Sequence, residues 1–210
     1  MKPRLIAFDF DGTIANTLGE MHRIFNEMAP NFGLKEVHGD DVKDLRQLST
    51  KELLKKLGVS KHKVPKLLGR GLSILRSRIE HIELIEGMRE TLIELQPKVE
   101  HFGILTSNSS ENVELFLKHH GLDHLFQFIS SKSKLSGKAK HLKSILRTFS
   151  LEKKEMLYVG DEIRDIKACQ KVGIPIAAVT WGFNAREAMS KEGPDYLFDD
   201  PRELQVLIEG

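Results

Sequence analysis

Short apolar runs bounded by turn residues alternate with amphipathic segments over most of this 210-residue chain. The runs have the length of strands buried on both faces, and the segments between them carry apolar residues at helical spacing. This alternation predicts an α/β fold with a doubly wound, Rossmann-like parallel sheet. Strands are predicted over 5–8, 102–105, 126–129, 156–159, 174–179 and 196–198, and crossover helices over 88–95, 111–120, 139–149 and 163–172.

One interval breaks this alternation. Between about residues 16 and 86 the sequence shows helical stretches around 21–28, 50–57 and 67–84 and no convincing strand. One strand precedes the interval and the others follow it. The simplest interpretation is an all-α domain, residues 16–86, inserted into a core made of residues 1–15 and 87–210.

Charge and composition exclude several classes of protein. The 32 basic and 30 acidic side chains leave a net charge of +2, which gives no global argument for binding nucleic acid. Within the insertion, however, residues 51–78 hold nine Lys or Arg and one acid, Glu52. That segment either forms a solvent-exposed helix face or attracts an anionic ligand. No apolar run approaches the roughly 20 residues of a membrane span, and the lone Cys169 has no disulfide partner, so a soluble cytoplasmic protein is expected.

The sharpest motif is Phe8-Asp9-Phe10-Asp11-Gly12-Thr13, directly after the first predicted strand. Ligands of doubly wound sheets bind at the carboxyl ends of the strands, so both carboxylates are expected in a site. Alternate residues of an extended chain share one side, and Gly12 then permits a tight turn. The competing interpretation is that Asp9 and Asp11 only cap a turn.

Asp-x-Asp-Gly-Thr on a strand end resembles the signature of the haloacid dehalogenase superfamily, and Asp9 to Thr13 match it in full. Three further motifs occur in the order of that family, so the resemblance spans the chain. It implies that Asp9 attacks phosphorus and becomes an aspartyl phosphate. It also implies that Asp11 protonates the leaving oxygen and later activates water, with Thr13 in a supporting position.

The second and third motifs of the family supply groups that hold phosphate. Thr106 matches the phosphate-binding hydroxyl, and Ser107 and Asn108 follow it at the same strand end. Alternatively, Asn108 caps the next helix. Lys138 is the best match to the lysine of the family because it follows Gly137 and opens a helix. The family often has Pro two residues later, where this chain has Lys140. Lys134 and Lys140 therefore remain alternatives.

The fourth motif is Gly160-Asp161 followed by Asp165, where another predicted strand runs into a helix. By resemblance, Asp9, Asp161 and the main-chain carbonyl of Asp11 are the ligands of a Mg²⁺ ion, which accepts such oxygen ligands. Asp165 is expected to orient the lysine or a metal-bound water. Glu162 is interpreted as a helix-start residue stabilised by the helix dipole.

The insertion falls where part of the superfamily carries a small helical cap, which can close over the site and select the leaving group. Within it, Leu45-Arg46-Gln47-Leu48-Ser49 resembles the substrate-specificity loop of that cap. Arg46 is accordingly predicted to contact substrate, although an exposed arginine at a helix end is nearly as good an interpretation.

Two further residues receive simpler interpretations. Cys169 falls in a predicted core helix and is expected to be a buried structural thiol. Trp181 follows the fifth predicted strand and borders the crevice, where it is expected either to pack in the core or to contact the site.

The resemblance as a whole implies a Mg²⁺-dependent phosphatase that hydrolyses a small phosphorylated metabolite, similar in layout to phosphoglycolate phosphatases. A phosphomutase of the β-phosphoglucomutase type shares all four motifs and is the main alternative. A non-catalytic protein that binds anions or nucleic acid is a weaker one, because such a relative would be expected to lose Asp9 or Asp11. The chain is expected to be a monomer or a homodimer that binds neither membranes nor nucleic acid.

Overall fold

The computed structural model describes residues 2–131 and 137–209, which contain a single sheet of six parallel strands. The order across the sheet is β3-β2-β1-β4-β5-β6. Because β1 lies in the middle and the order reverses beside it, this is the doubly wound α/β class that the sequence predicts. The strands are β1 Leu5–Phe8, β2 His101–Leu105, β3 Phe128–Ser130, β4 Met156–Gly160, β5 Ile176–Val179 and β6 Tyr196–Phe198.

The sheet is covered on both faces, and β1 shows why. Ile6 and Phe8 pack into one buried apolar cluster while Leu5 and Ala7 pack into the other, because neighbouring side chains of a strand point to opposite faces. The first cluster lies under α5 Met88–Leu95, α6 Ser110–His119 and the closing 3₁₀ helix Pro201–Ile208. The second lies under α7 Lys138–Thr148, α8 Ile163–Val172 and α9 Arg186–Ser190.

Four helices follow β1 before α5 begins, namely α1 Leu18–Met28, α2 Gly39–Leu45, α3 Thr50–Lys56 and α4 Val64–Arg76. Apolar residues of α1 and α4 pack together around Met28 and Leu67. The chain leaves and re-enters the core as a paired segment: the Asn16 amide donates to the Glu83 carbonyl at 2.9 Å, and the Ile85 amide to the Ile14 carbonyl at 2.9 Å. The chain therefore leaves the core and returns to it at one place.

The observed elements differ from the predicted ones in places that have a local cause. The predicted helix 67–84 is wrong at both ends: α4 begins at Val64 and ends at Arg76. The Ser77 hydroxyl donates to the Ile74 carbonyl at 2.7 Å, a local bond that competes with helix continuation. The strand predicted from 126 begins at Phe128, after a 3₁₀ turn over Asp123–Leu125. Helices α2 and α9 were not predicted, because each is too short to show a clear period.

Cys169 is buried in α8, as predicted. Over residues 2–131 and 137–209, every helix is too short or too polar to cross a membrane.

Candidate active site

The loop after β1 places Asp9 at the end of the central strand, where it is 2% exposed. Its amide donates to the Val159 carbonyl of β4 at 2.8 Å, so Asp9 still belongs to the sheet. Gly12 then turns the chain at a φ of 75°. A Cβ at that position would lie 2.3 Å from Oδ2 of Asp161, so the turn needs glycine for both its conformation and its close approach.

Lys138, the first residue of α7, points its ammonium into this centre. Its Nζ donates to Asp9 Oδ2 at 2.6 Å, to Asp165 Oδ1 at 2.5 Å and to the Tyr158 hydroxyl at 2.7 Å. Burial alone lowers the pKa of this ammonium, but the Asp165 and Asp9 carboxylates outweigh that effect and raise the pKa above its ordinary value. Lys138 is therefore a permanent cation at neutral pH. Of the two alternatives, Lys140 is exposed and Lys134 lies outside the described residues.

Tyr158 is a site residue that is predicted from the sequence only as part of a strand. Its hydroxyl accepts from Lys138 and donates to the Leu105 carbonyl of β2 at 2.8 Å. Burial and the nearby carboxylates raise its pKa well above the usual range, so the hydroxyl stays protonated. An inward-facing tyrosine beside an aspartate motif is the only signal that the sequence offered.

Three buried carboxylates, those of Asp9, Asp161 and Asp165, bring oxygen atoms within 4.8 Å of one another. Burial, followed by the charges of Glu162, Asp9 and Asp165, raises the pKa of Asp161 well above its ordinary value. Burial likewise raises the pKa of Asp165 to about 6, against the opposing effect of Lys138. Crowded carboxylates of this kind favour a cation between them. Hard oxygen donors suit a divalent metal, so the residues present fit the metal that the family implies.

The carboxylate of Asp161 is held by two donors. Its Oδ1 accepts from the Thr13 hydroxyl at 2.8 Å, and its Oδ2 accepts from the Phe183 amide at 2.7 Å. Gly182 makes the second contact possible, since a Cβ there would lie 2.2 Å from Oδ2 of Asp161. From the sequence, the loop over residues 180–183 is expected at the crevice, with Trp181 as its candidate contact residue. In the structure the indole of Trp181 donates to the Thr13 carbonyl at 3.1 Å, so it supports the aspartate loop.

Asp11 is held from the β2 side of the site. The Asn108 amide donates to both carboxylate oxygens of Asp11, at 3.1 and 3.0 Å. The Asn108 backbone amide donates in turn to the hydroxyl of buried Thr106 at 3.0 Å. Asn108 does not cap α6, because that role falls to Ser109, whose hydroxyl accepts from the Asn112 amide. Asn108 thus holds the carboxylate of Asp11, which follows Asp9 by two residues in the loop.

Arg46 lies just after α2 and connects the inserted helices to the core. Its Nη2 donates to the Thr180 carbonyl at 2.9 Å, and its own carbonyl accepts from the Ala185 amide at 2.9 Å and from the Asn184 side chain at 3.0 Å. The described contacts of its guanidinium are therefore with protein at the crevice edge. Its role as a substrate contact stays a prediction.

Several known proteins resemble this chain. Residues 6–179 match the family model for haloacid dehalogenase-like hydrolases. A phosphoglycolate phosphatase of Synechococcus elongatus is 34% identical over 203 residues, which cover 97% of this chain and 96% of that protein. The pyrophosphatase PpaX of Bacillus anthracis is 26% identical over 215 residues, which cover 99% of this chain and 97% of that protein.

A haloacid dehalogenase-like hydrolase from Streptococcus pneumoniae shares the fold at 21% identity. Its TM-score is 0.82, with 97% of each chain covered. The family match extends over most of the chain, including the strand-end loops that carry Asp9 and Asp161. The protein belongs to the haloacid dehalogenase-like hydrolase family.

Proposed function

We propose that this protein is a Mg²⁺-dependent phosphatase of small phosphorylated metabolites, acting in the cytoplasm through an aspartyl-phosphate intermediate. The observation that carries the proposal is the pair of carboxylates on one loop. Asp9 accepts a hydrogen bond from the Lys138 ammonium, and Asp11 accepts one from the Asn108 side chain. In this proposal Asp9 attacks phosphorus and Asp11 exchanges a proton. In this proposal residues 1–15 and 87–210 form the catalytic core, and residues 16–86 form its cap.

In the first step a carboxylate oxygen of Asp9 forms a bond to phosphorus while the bond from phosphorus to the leaving oxygen breaks. Asp11 gives its proton to that leaving oxygen. Lys138 and the Thr106 hydroxyl bind the phosphoryl oxygens, and the positive charge of Lys138 reduces their repulsion from Asp9. Thr106 is 3% exposed, which suits a donor that binds in a site closed to water.

In the second step a water molecule gives a proton to Asp11 and attacks phosphorus, and the bond between phosphorus and Asp9 breaks. Inorganic phosphate leaves and both carboxylates return to their starting states. Asp9, Asp161 and the carbonyl of Asp11 would hold the Mg²⁺ ion, which when bound neutralises the charge of the phosphoryl group and the nucleophile. Asp165 bonds Lys138 through Oδ1 and the Glu162 amide through Oδ2, so it positions the lysine.

The relatives support hydrolysis over phosphoryl transfer to a sugar. The Synechococcus protein is named a phosphoglycolate phosphatase and the Bacillus protein a pyrophosphatase, and each spans nearly the whole chain. Both names describe a phosphoryl group attached to a second anionic group. We therefore propose a small anionic phosphate ester, with phosphoglycolate as the first candidate.

A panel of phosphorylated metabolites, assayed for phosphate release with Mg²⁺ and with EDTA, tests this function. We expect release from phosphoglycolate or a similar small ester with Mg²⁺ and none with EDTA. Turnover that begins only after addition of a sugar bisphosphate would instead identify a phosphomutase. Absence of turnover across the panel, together with salt-sensitive binding of nucleic acid, would favour a binding protein.

A further inference from the structure

A second basic side chain, Arg164, lies beside the proposed phosphoryl site and has no part in the mechanism above. It is the second residue of α8, next to Asp165, and its Nη2 donates to the Ser107 hydroxyl at 3.4 Å. Ser107 lies between Thr106 and Asn108. The guanidinium therefore borders the loop after β2. That loop carries Thr106, the proposed phosphate-binding residue, and Asn108, which binds the carboxylate of Asp11.

The guanidinium has binding capacity that the protein does not use. Its contacts with Ser107 and Glu162 both involve Nη2, and within the described residues Nε is buried without an acceptor. The side chain as a whole is 37% exposed, whereas that of Lys138 is 11% exposed. Lys138 is thus enclosed within the site, whereas the side chain of Arg164 is partly open to solvent at its mouth.

Arg164 also carries a charge that cannot be removed near neutral pH. Burial alone would lower its pKa, but Glu162, Asp165 and Asp9 raise it, so the group remains a cation. A planar guanidinium binds carboxylate and phosphate groups through two parallel hydrogen bonds. A guanidinium at this position can therefore bind a carboxylate or phosphate group.

Through Glu162 and Ser107, Arg164 is connected to the inserted helices and to the loop that holds Asp11. Glu162, which binds Arg164, also accepts a hydrogen bond at 3.4 Å from the Thr50 hydroxyl at the start of α3, so Arg164 faces the inserted helices. On its other side, Ser107 leads to Asn108, which holds the proposed acid for the leaving oxygen. The transferred phosphoryl group already has Lys138 and Thr106.

We propose that Arg164 and Ser107 form an anion subsite for the leaving group, which binds a carboxylate or a second phosphate of the substrate. This subsite would make Arg164 a determinant of specificity for esters of the phosphoglycolate or pyrophosphate type. The inference rests on the phosphatase function proposed above.

Steady-state kinetics of Arg164→Met test the subsite with substrates that differ in the leaving group. We expect kcat/KM for phosphoglycolate or pyrophosphate to fall at least about 30-fold, because a charged partner is lost. For p-nitrophenyl phosphate, whose leaving group has no second anion, we expect a change of less than about threefold. Arg164→Lys keeps the charge but lacks the planar guanidinium with its paired donors, so it should recover part of the lost kcat/KM. Whichever of the two anionic substrates loses more identifies the group that the subsite binds.

Two controls keep the outcome interpretable. Arg147→Met removes an exposed arginine at the far end of α7 and should change neither substrate. The double variant Glu162→Gln/Arg164→Met removes both charges of the pair, so it must show the same substrate contrast if lost binding, and not an orphaned Glu162, is the cause.

An equal loss for all substrates would overturn the subsite, since Arg164 would then act on the transferred phosphoryl group or on Asp165. A wild-type enzyme that hydrolyses only p-nitrophenyl phosphate would also overturn it. Failure of the wild type with every substrate would instead refute the phosphatase function, and the subsite with it.

Discussion

The strand-end centre and the inserted helices use charge in opposite ways. In the centre, Asp9, Asp161 and Asp165 are at most 2% exposed, and each has a defined hydrogen-bond partner. In segment 51–78 two of the nine basic side chains have a described structural role: Lys63 donates to the Phe32 carbonyl, and Arg78 pairs with Glu20 and Glu27. The other seven are exposed.

Buried charges constrain their surroundings, while exposed ones act mainly through a field that salt screens. Substitutions in the strand-end centre should therefore change activity strongly, even when they alter only one or a few atoms. Substitutions of exposed basic residues on the inserted helices should change it little. Four predictions test this difference.

Asp9→Asn should have the largest effect. The amide keeps the shape of the side chain but cannot form the aspartyl phosphate, so phosphatase activity should fall by about 10⁴-fold or more. The measurement is phosphate release from the best substrate of the panel, with circular dichroism to verify folding. Lys61→Ala, on the exposed basic face, is the matched control and should stay within about twofold of wild type. Comparable losses in both variants would refute the contrast.

Gly182→Ala should follow. The added Cβ would meet Asp161 Oδ2 at 2.2 Å and the Gly12 carbonyl at 2.4 Å, so the carboxylate must move. A displacement of this size should lower kcat/KM by about 100-fold and weaken the response to Mg²⁺. Gly19→Ala in α1 is the control, since a Cβ there has no atom within 4 Å. It should leave activity unchanged and stabilise the helix by up to about 1 kcal/mol. Full activity in Gly182→Ala would show that Asp161 needs no fixed position.

Asn184→Asp should loosen the contact between the two regions. Asn184 Nδ2 donates to the Arg46 and Leu48 carbonyls at 3.0 Å each, and its Oδ1 accepts from the Ile163 amide. Aspartate keeps the acceptor for Ile163 but turns a second oxygen toward two carbonyls. The local opening free energy of residues 46–50 should fall by about 1–3 kcal/mol.

Hydrogen exchange measures that change. Amides of residues 46–50 should exchange faster, and those of the sheet should not change. Gln47→Ala removes an exposed bond to Glu187 and should have little effect. Faster exchange throughout the sheet would mean that Asn184 stabilises the core and not the junction.

The smallest effect concerns pH. The folded-state pKa of Asp165 is raised to about 6, and that of Asp161 is raised as well, both above the value of about 3.9 expected for an unfolded chain. The metal-free protein therefore loses stability as pH rises from about 4 through these folded-state values. Bound Mg²⁺ relieves the repulsion between these carboxylates and competes with protons for them. The increase in Tm on adding Mg²⁺ should therefore be a few degrees, about 2–5 °C, larger at pH 8 than at pH 5. Differential scanning calorimetry measures it, and Asp161→Asn should abolish the increase. A Tm gain that is equal at both pH values would refute the role of these carboxylates.

The sheet was predictable because its strands are buried and read as continuous apolar runs. The sequence indicated Asp9, Asp161 and Lys138 because each lies in a motif that matches the family, and the structure brings these three residues together. The residues that hold them were not indicated. Tyr158 bonds Lys138, Gly182 lies against Asp161, and Asn184 bonds the Leu48 carbonyl. In each pair the partners come from different elements, so only the folded structure shows the contact. Arg164 was hidden for a different reason, since it lay within a motif whose aspartates accounted for the pattern.

The chain leaves the core at Ile14–Asn16 and returns at Glu83–Ile85 as a hydrogen-bonded pair. Because the two ends meet, a change in the length of the segment between them need not alter the spacing of the strands. If the inserted helices recognise substrate as proposed, their residues can diverge without moving Asp9, Lys138 or the carboxylates. Under the proposed function, new specificity would then come from changes in 17–82, while the chemistry of the strand-end centre stays the same.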